Sequence, residues 1–194
     1  MQEACDARPG GMVSLLGADE AVAEKICGAA RPAGIICLAN YNCPGQVVLS
    51  GVKAACNRVL EIAESLGAQR AVPLTVAGAF HSPLMASARE KLAPELRRLR
   101  VAELNFPVVA NVTGDYYSGA QSVADLLTRQ VDRPVRWQQG VRRLTGDGFD
   151  RFYEIGPGRV LTGLLKRIDR KVGRHAVAVG TAADIEALNK GAGA

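Results

Sequence analysis

A chain of 194 residues, 48% hydrophobic and 22% charged, is long enough to bury a substantial core, which excludes a mini-protein and wholesale disorder. Its net charge of +5 comes from 24 Lys and Arg against 19 Asp and Glu, and the aromatic complement is four Phe, four Tyr and one Trp. The basic clusters are short (Arg97, Arg98, Arg100; Lys166, Arg167, Arg170, Lys171) and not interleaved with rings, so no nucleic-acid partner is expected, while an acidic partner protein stays compatible with a mild basic field.

Five cysteines (Cys5, Cys27, Cys37, Cys43, Cys56) form an odd set without CxxC spacing or a neighbouring His, so neither a disulfide framework nor a metal site is expected and a reducing compartment fits best. No apolar run approaches the roughly eighteen residues of a membrane span. Glu3 and Asp6 stand where a signal peptide would be basic and then apolar. A cytoplasmic protein without membrane contact is expected.

In chain order, residues 12–17 form a short apolar run and 19–30 follow with apolar positions at helical spacing behind Asp19, a residue able to cap a helix. Two β-rich runs, 35–40 and 46–50, are joined by a turn containing Asn42, Pro44 and Gly45. A helix over 52–66 ends at Gly67, and 71–76 supplies a fourth strand. The order strand, helix, strand, strand, helix, strand is that of a ferredoxin-like unit, taken here as a subdomain over 8–76.

The remainder, 77–194, reads as an α/β layer structure. A Gly-Ala-Phe-His-Ser-Pro loop leads to a helix over 84–98, a short strand over 107–111 and helices over 122–130 and 135–146. A strand over 151–155 enters Gly156-Pro157-Gly158, a helix over 160–168 leaves it, and a strand over 176–179 precedes a last helix from about 182 and a Gly/Ala-rich tail expected to fray.

His81 and His175 are the two histidines, which shortens the search for a general base. His81 lies in a loop between strand and helix, where function-bearing residues of α/β proteins gather; a surface or satisfied histidine is the competing reading. His175 borders a strand near the chain end, where the plain reading is stronger. No G-x-S-x-G elbow occurs, so Ser50 and Ser82 lack a nucleophile's context, and nothing near Cys43 would lower its thiol pKa. Gly156-Pro157-Gly158 could cradle an anion at a helix start, but a tight structural turn explains it better.

As a set, Asn40-Tyr41-Asn42-Cys43-Pro44-Gly45-Gln46-Val47-Val48, Gly78-Ala79-Phe80-His81-Ser82-Pro83-Leu84-Met85, Asn111-Val112-Thr113-Gly114, the run from Gln130 to Trp137 and Tyr153-Glu154-Ile155-Gly156-Pro157-Gly158 resemble malonyl-CoA:acyl-carrier-protein transacylases, in that family's order and approximate spacing. The resemblance implies an α/β fold with a partial α/β-hydrolase-like core and an inserted ferredoxin-like (βαββαβ) subdomain. It implies His81 as the catalytic base, the backbone carbonyl of Gln130 as the group that orients it, Phe80 as a malonyl-selecting residue, and Asn40 and Asn42 as cleft-lining positions. The substrates implied are malonyl-CoA and phosphopantetheinylated acyl carrier protein, with no cofactor, in fatty-acid biosynthesis.

The sequence departs from the family at one place. Members carry a serine elbow, an oxyanion-hole glutamine and a malonyl-binding arginine upstream of what Met1-Gln2-Glu3-Ala4 resembles, so the nucleophile is expected to precede this chain and the 194-residue chain by itself to be inactive. A misplaced start codon, a split gene or a cloned fragment would each give that result. The alternative is a catalytically inactive remnant or module that binds acyl carrier protein.

Overall fold

The computed structural model describes residues 1–191 and has an α/β fold. Contacts divide the chain into two compact units, Met1–Gly140 and Val141–Ala194.

The first unit opens with a short helix, α1 (Gln2–Ala7), that sequence reading missed; Met1 offers it no side-chain cap, so no start signal precedes it. Strand β1 (Gly10–Leu16) leads to α2 (Glu20–Ala30), whose first turn is capped as expected by the Asp19 carboxylate accepting from Val22 N at 2.9 Å. Strands β2 (Ile36–Cys43) and β3 (Gln46–Val52) follow, then α3 (Lys53–Ile62) and β4 (Arg70–Pro73). The hairpin turn is Pro44-Gly45 alone, with Gly45 at φ 74°, the residue order of a type II turn. Asn42, expected in that turn, belongs to β2. Helix α3 stops four residues short of the expected end; Gly67, at φ 114°, closes the turns that follow it.

The four strands form one sheet in the order β2-β3-β1-β4, every neighbouring pair antiparallel. Strand alternation sends Val13 and Leu15 of β1 and Val47 and Leu49 of β3 to one face, where they pack with Ala23, Ile26 and Cys27 of α2 and Ala55, Cys56 and Val59 of α3. The opposite face carries Met12, Ser14, Val48 and Ser50. Two register shifts in β2, between Leu38 and Asn40 and between Tyr41 and Cys43, leave Ala39 and Asn42 without cross-strand partners. The first of these bulges lets both Leu38 and Tyr41 reach the helix-covered core while Asn40, paired with Val48, faces the other side.

Beyond β4 the chain makes a 3₁₀ turn at Pro83–Met85 that runs into α4 (Ala86–Arg98). A two-residue ladder, β5 (Val109–Ala110) with β6 (Asp115–Tyr116), precedes α5 (Ala120–Gln130), and α6 (Trp137–Gly146) crosses the boundary between the units. In the second unit β7 (Tyr153–Ile155) and β8 (Val177–Val179) pair in parallel, and α7 (Val160–Ile168) and the one-turn α8 (Arg170–Gly173) lie between them in sequence. The Glu154 carboxylate caps α7, accepting from Leu161 N at 3.0 Å and from Thr162 N and Oγ1 at 2.7 Å each. Helix α9 (Ala182–Gly191) follows β8. The expected tail after residue 191 lies outside the described residues.

Candidate active site

The loop between β4 and α4 lies against the sheet face that the helices leave open. Phe80 packs on Met12, Ala39 and Val48, and the thiol of Cys37, cross-strand neighbour of Ser50, reaches the His81 carbonyl at 3.9 Å. Ala79 is fully buried, and close approach at the loop depends on glycine: a Cβ on Gly78 would lie 2.4 Å from Cys5 Sγ, and one on Gly10 2.7 Å from Ala79 Cβ. The loop is thus wedged between β1 and α1.

His81 itself has φ 57°, and among the described residues no other non-glycine residue has a positive φ. A left-handed backbone costs a Cβ-bearing residue about 1–2 kcal/mol, so its surroundings must impose it. They do so on both flanks. Ala79 is held from the N-terminal side, and on the C-terminal side Ser82, with 0% exposure, donates from Oγ to Ala79 O at 2.6 Å and accepts from Leu84 N at 3.3 Å, while Leu84 and Met85 anchor the turn in the core.

The half-buried ring of His81 meets the end of α5, where Nδ1 lies 3.1 Å from the carbonyl oxygen of Gln130. A carbonyl can only accept, so this contact places the proton on Nδ1 and leaves the Nε2 lone pair free. The Gln130 side-chain amide is also near, Nε2 standing 3.5 Å from the same Nδ1, but its two protons have carbonyl acceptors in Arg133 O at 3.0 Å and Pro134 O at 3.4 Å. The amide thereby closes the turn that follows α5. Val135 then adds to the open edge of β2: its N–H donates to Ala39 O at 2.8 Å and its carbonyl accepts from Tyr41 N at 2.9 Å. Next to it the Arg136 guanidinium stacks 5.2 Å above the Tyr41 ring.

The geometry therefore brings His81 and the Gln130 carbonyl together, sets Phe80 beside them on the open sheet face, and puts Asn40 on that same face by register with Val48. Asn42 is half-buried at the second bulge. The other candidates have structural employment. Ser82 caps its turn, Ser50 is fully buried, and Cys43, 2% exposed, ends β2 with its thiol toward Gln46 Oε1. Burial pushes the Cys37 thiol up to about 12, so it is no nucleophile at neutral pH. His175 is exposed just before β8, and Gly156 and Gly158 have positive φ with open space where a Cβ would stand, so backbone conformation explains those glycines.

Sequence reading picked out the run from Gln130 to Trp137 but missed the contacts that hold it, and with it the Gln130 carbonyl, in place. The Val135 bridge to β2, and the ion pair of Arg89 Nη1 with Asp132 Oδ2 at 2.9 Å, act across separations of tens of residues, and no local pattern signals their partners. Among the described residues no cluster of three or more His, Cys, Asp or Glu could hold a metal ion, and no helix is long and apolar enough to cross a membrane.

The acyl transferase domain profile matches residues 6–187. The chain belongs to the acyl transferase domain family. Within it, the malonyl CoA-acyl carrier protein transacylase of Bacillus subtilis is 38% identical over 178 residues, covering 91% of this chain and 56% of that protein. A crystal structure of the Clostridium perfringens transacylase of the same name superposes with a TM-score of 0.91 at 36% identity, over 98% of this chain and 59% of that one. A malonyl-transacylase solved in complex with a type II PKS acyl-carrier protein superposes with a TM-score of 0.86 at 37% identity, over 96% of this chain and 61% of that one. This acyl transferase domain thus spans somewhat more than half the length of the relatives it matches.

Proposed function

We propose that this acyl transferase domain is the His-bearing part of an [acyl-carrier-protein] S-malonyltransferase, with malonyl-CoA as donor, the phosphopantetheine thiol of acyl carrier protein as acceptor, and a serine nucleophile supplied by a segment upstream of residue 1. The observation that carries the reading is the His81 Nδ1 to Gln130 carbonyl contact of 3.1 Å, which leaves Nε2 as an unprotonated base. In the first half-reaction Nε2 takes the serine proton as Oγ attacks the malonyl thioester, and returns it to the departing CoA thiolate. In the second, Nε2 takes the proton of the carrier thiol, the sulfur attacks the malonyl-serine ester, and the proton goes back to the serine oxygen. No cofactor enters either balance.

Phe80, packed over Met12, Ala39 and Val48, would crowd an α-branch on the acyl group, and Asn40 and Asn42 would line the cleft. We read 8–76 as a ferredoxin-like subdomain, supported by the antiparallel order β2-β3-β1-β4, and 77–194 as part of an α/β-hydrolase-like core, supported by the parallel β7 and β8 pair. A cytoplasmic location and a place in fatty-acid biosynthesis go with that activity.

The test joins this chain to the portion of the Bacillus subtilis relative that it does not cover and measures malonyl transfer from malonyl-CoA to holo acyl carrier protein. Transfer that disappears with His81→Ala supports the enzyme. A folded, carrier-binding chimera without transfer would favour the non-catalytic module instead.

A further inference from the structure

The carboxylate of Asp132 is almost enclosed, with 8% of its side chain exposed. Its Oδ2 accepts from Arg89 Nη1 at 2.9 Å, while Oδ1 has no hydrogen bond within the protein and the Arg133 Nε stands 3.8 Å from it. A buried carboxylate holds its place only as firmly as the cation that replaces its lost hydration, so the position of the turn at Asp132 is tied to Arg89. Arg89 lies on α4, the helix that grows out of the His81 turn, and Asp132 lies two residues beyond Gln130. The ion pair therefore joins the same two segments whose separation fixes the His81 to Gln130 contact.

That separation has a chemical consequence, because Gln130 offers His81 Nδ1 two partners of opposite character. Its carbonyl oxygen is 3.1 Å away and accepts; its side-chain Nε2 is 3.5 Å away and can donate to the ring only by giving up one of its own acceptors, the longer bond being that to Pro134 O at 3.4 Å. With the carbonyl in contact, the ring is protonated at Nδ1 and basic at Nε2. With the amide in contact, Nδ1 accepts, the proton sits on Nε2, and the ring can no longer take a proton there. The two distances, 3.1 and 3.5 Å, differ by only 0.4 Å, so a loosened tie between α4 and the turn after α5 would let the amide exchange its 3.4 Å bond to Pro134 O for the ring and displace the carbonyl.

We propose that Arg89 and Asp132 form a positioning pair that selects the tautomer of His81 by holding the carbonyl, rather than the side-chain amide, of Gln130 against Nδ1. The proposal deepens the assignment of His81 as base and takes its catalytic meaning from that reading, but its readout needs no turnover.

The experiment is ¹⁵N NMR of the histidine ring nitrogens in this 194-residue chain, recorded at pH 9 so that neutral rings dominate, with His175→Gln removing the second histidine's signals. In the parent, Nδ1 should resonate as a protonated nitrogen and Nε2 as an unprotonated one. Both Arg89→Gln and Asp132→Asn should move the two resonances toward each other, and the charge-swapped double variant Arg89→Asp with Asp132→Arg should move them back. Arg58→Ala, which removes the exposed Arg58 and Glu61 pair, should leave them unmoved. A merely structural pair would lower the melting temperature while Nδ1 stays protonated in every folded variant, and that result overturns the proposal. Arg89 is 36% exposed on a helix, so Arg89→Gln keeps the test open should Asp132→Asn fail to fold. Loss of the base assignment would look different: transfer by a His81→Ala chimera would remove the catalytic role and leave the tautomer result standing.

Discussion

His81 occupies a backbone conformation that disfavours any side chain, in a loop held by the Ser82 hydroxyl and by buried Ala79, Leu84 and Met85. That conformation brings the ring against a carbonyl at Nδ1, which leaves Nε2 as the nitrogen available for the proposed base role. In a chimera extended upstream, His81→Ala should slow malonyl transfer by about two to four orders of magnitude, the usual span for a lost general base. Gln130→Ala should cost far less, since any residue retains the carbonyl; an equal loss would mean the side chain itself is catalytic. Phe80→Ser should raise methylmalonyl transfer relative to malonyl, by a preference worth about 1–3 kcal/mol, read as the ratio of kcat/KM values. Unchanged selectivity in a folded variant would make Phe80 a packing residue only. His81, Phe80 and Gln130 were legible because each sits in a local string of characteristic residues. Arg89 and Asp132 were not, because an Arg and an Asp 43 positions apart carry no sign of their pairing until the helices are placed.

At the scale of elements, patterns that depend on neighbours in sequence came through best. Helix α7 spans 160–168 as read, because its apolar positions recur at helical spacing behind a glycine-rich turn, and α2 begins where Asp19 announces it. Short elements and single bridges fared less well: the strand read over 107–111 is present as the two-residue β5, its partner β6 was not read, and Val135, read as the start of a helix, joins the edge of β2 as a single bridge. Two acidic side chains hold helix starts from outside the N-cap position. Glu154 reaches from β7 to the first turn of α7, where the Thr162 hydroxyl first and then the amide donors hold its carboxyl below the ordinary value of 4.5; Asp184, held chiefly by the Thr181 hydroxyl, lies below its ordinary 3.8. A depressed folded pKa contributes stability above the unfolded value that is lost as pH falls through the folded one. Amides of α7 should therefore lose hydrogen-exchange protection as pH falls below about 4.5, and those at the start of α9 as it falls below about 3.8, after correction for intrinsic rates. Glu154→Gln should flatten the response in α7 alone; a response left intact there would place its acid sensitivity elsewhere.

For the whole molecule, the sequence announced the strand and helix order of the first sheet, whereas the division of contacts at Gly140 and Val141 follows from packing that no composition shift marks. The four-stranded sheet and the β7–β8 pair differ in a way that predicts behaviour. In the first, β1 and β3 have a strand on each side, and Val13, Leu15 and Leu49 are at most 1% exposed beneath two helices. In the second, β7 and β8 contribute three residues each to a parallel pair, a geometry normally covered on both faces. Here Ile155 is 77% exposed and Tyr153 51%, with Val160 at 70% at the start of the next helix. Short parallel strands with uncovered apolar side chains gain little free energy from burial, so they should open locally while the first sheet opens only with its core. Hydrogen exchange on the 194-residue chain should find amides in the centres of β1 and β3 protected at least about a hundredfold more than those of β7, or about 3 kcal/mol in opening free energy. Covering β7 should narrow the gap: in a chimera carrying the upstream portion of the Bacillus subtilis relative, β7 amides should gain protection while those of β1 and β3 change little. Uniform protection in the 194-residue chain would show that the β7 and β8 pair is stable without further strands, and the support it lends to an incomplete hydrolase-like core would fall.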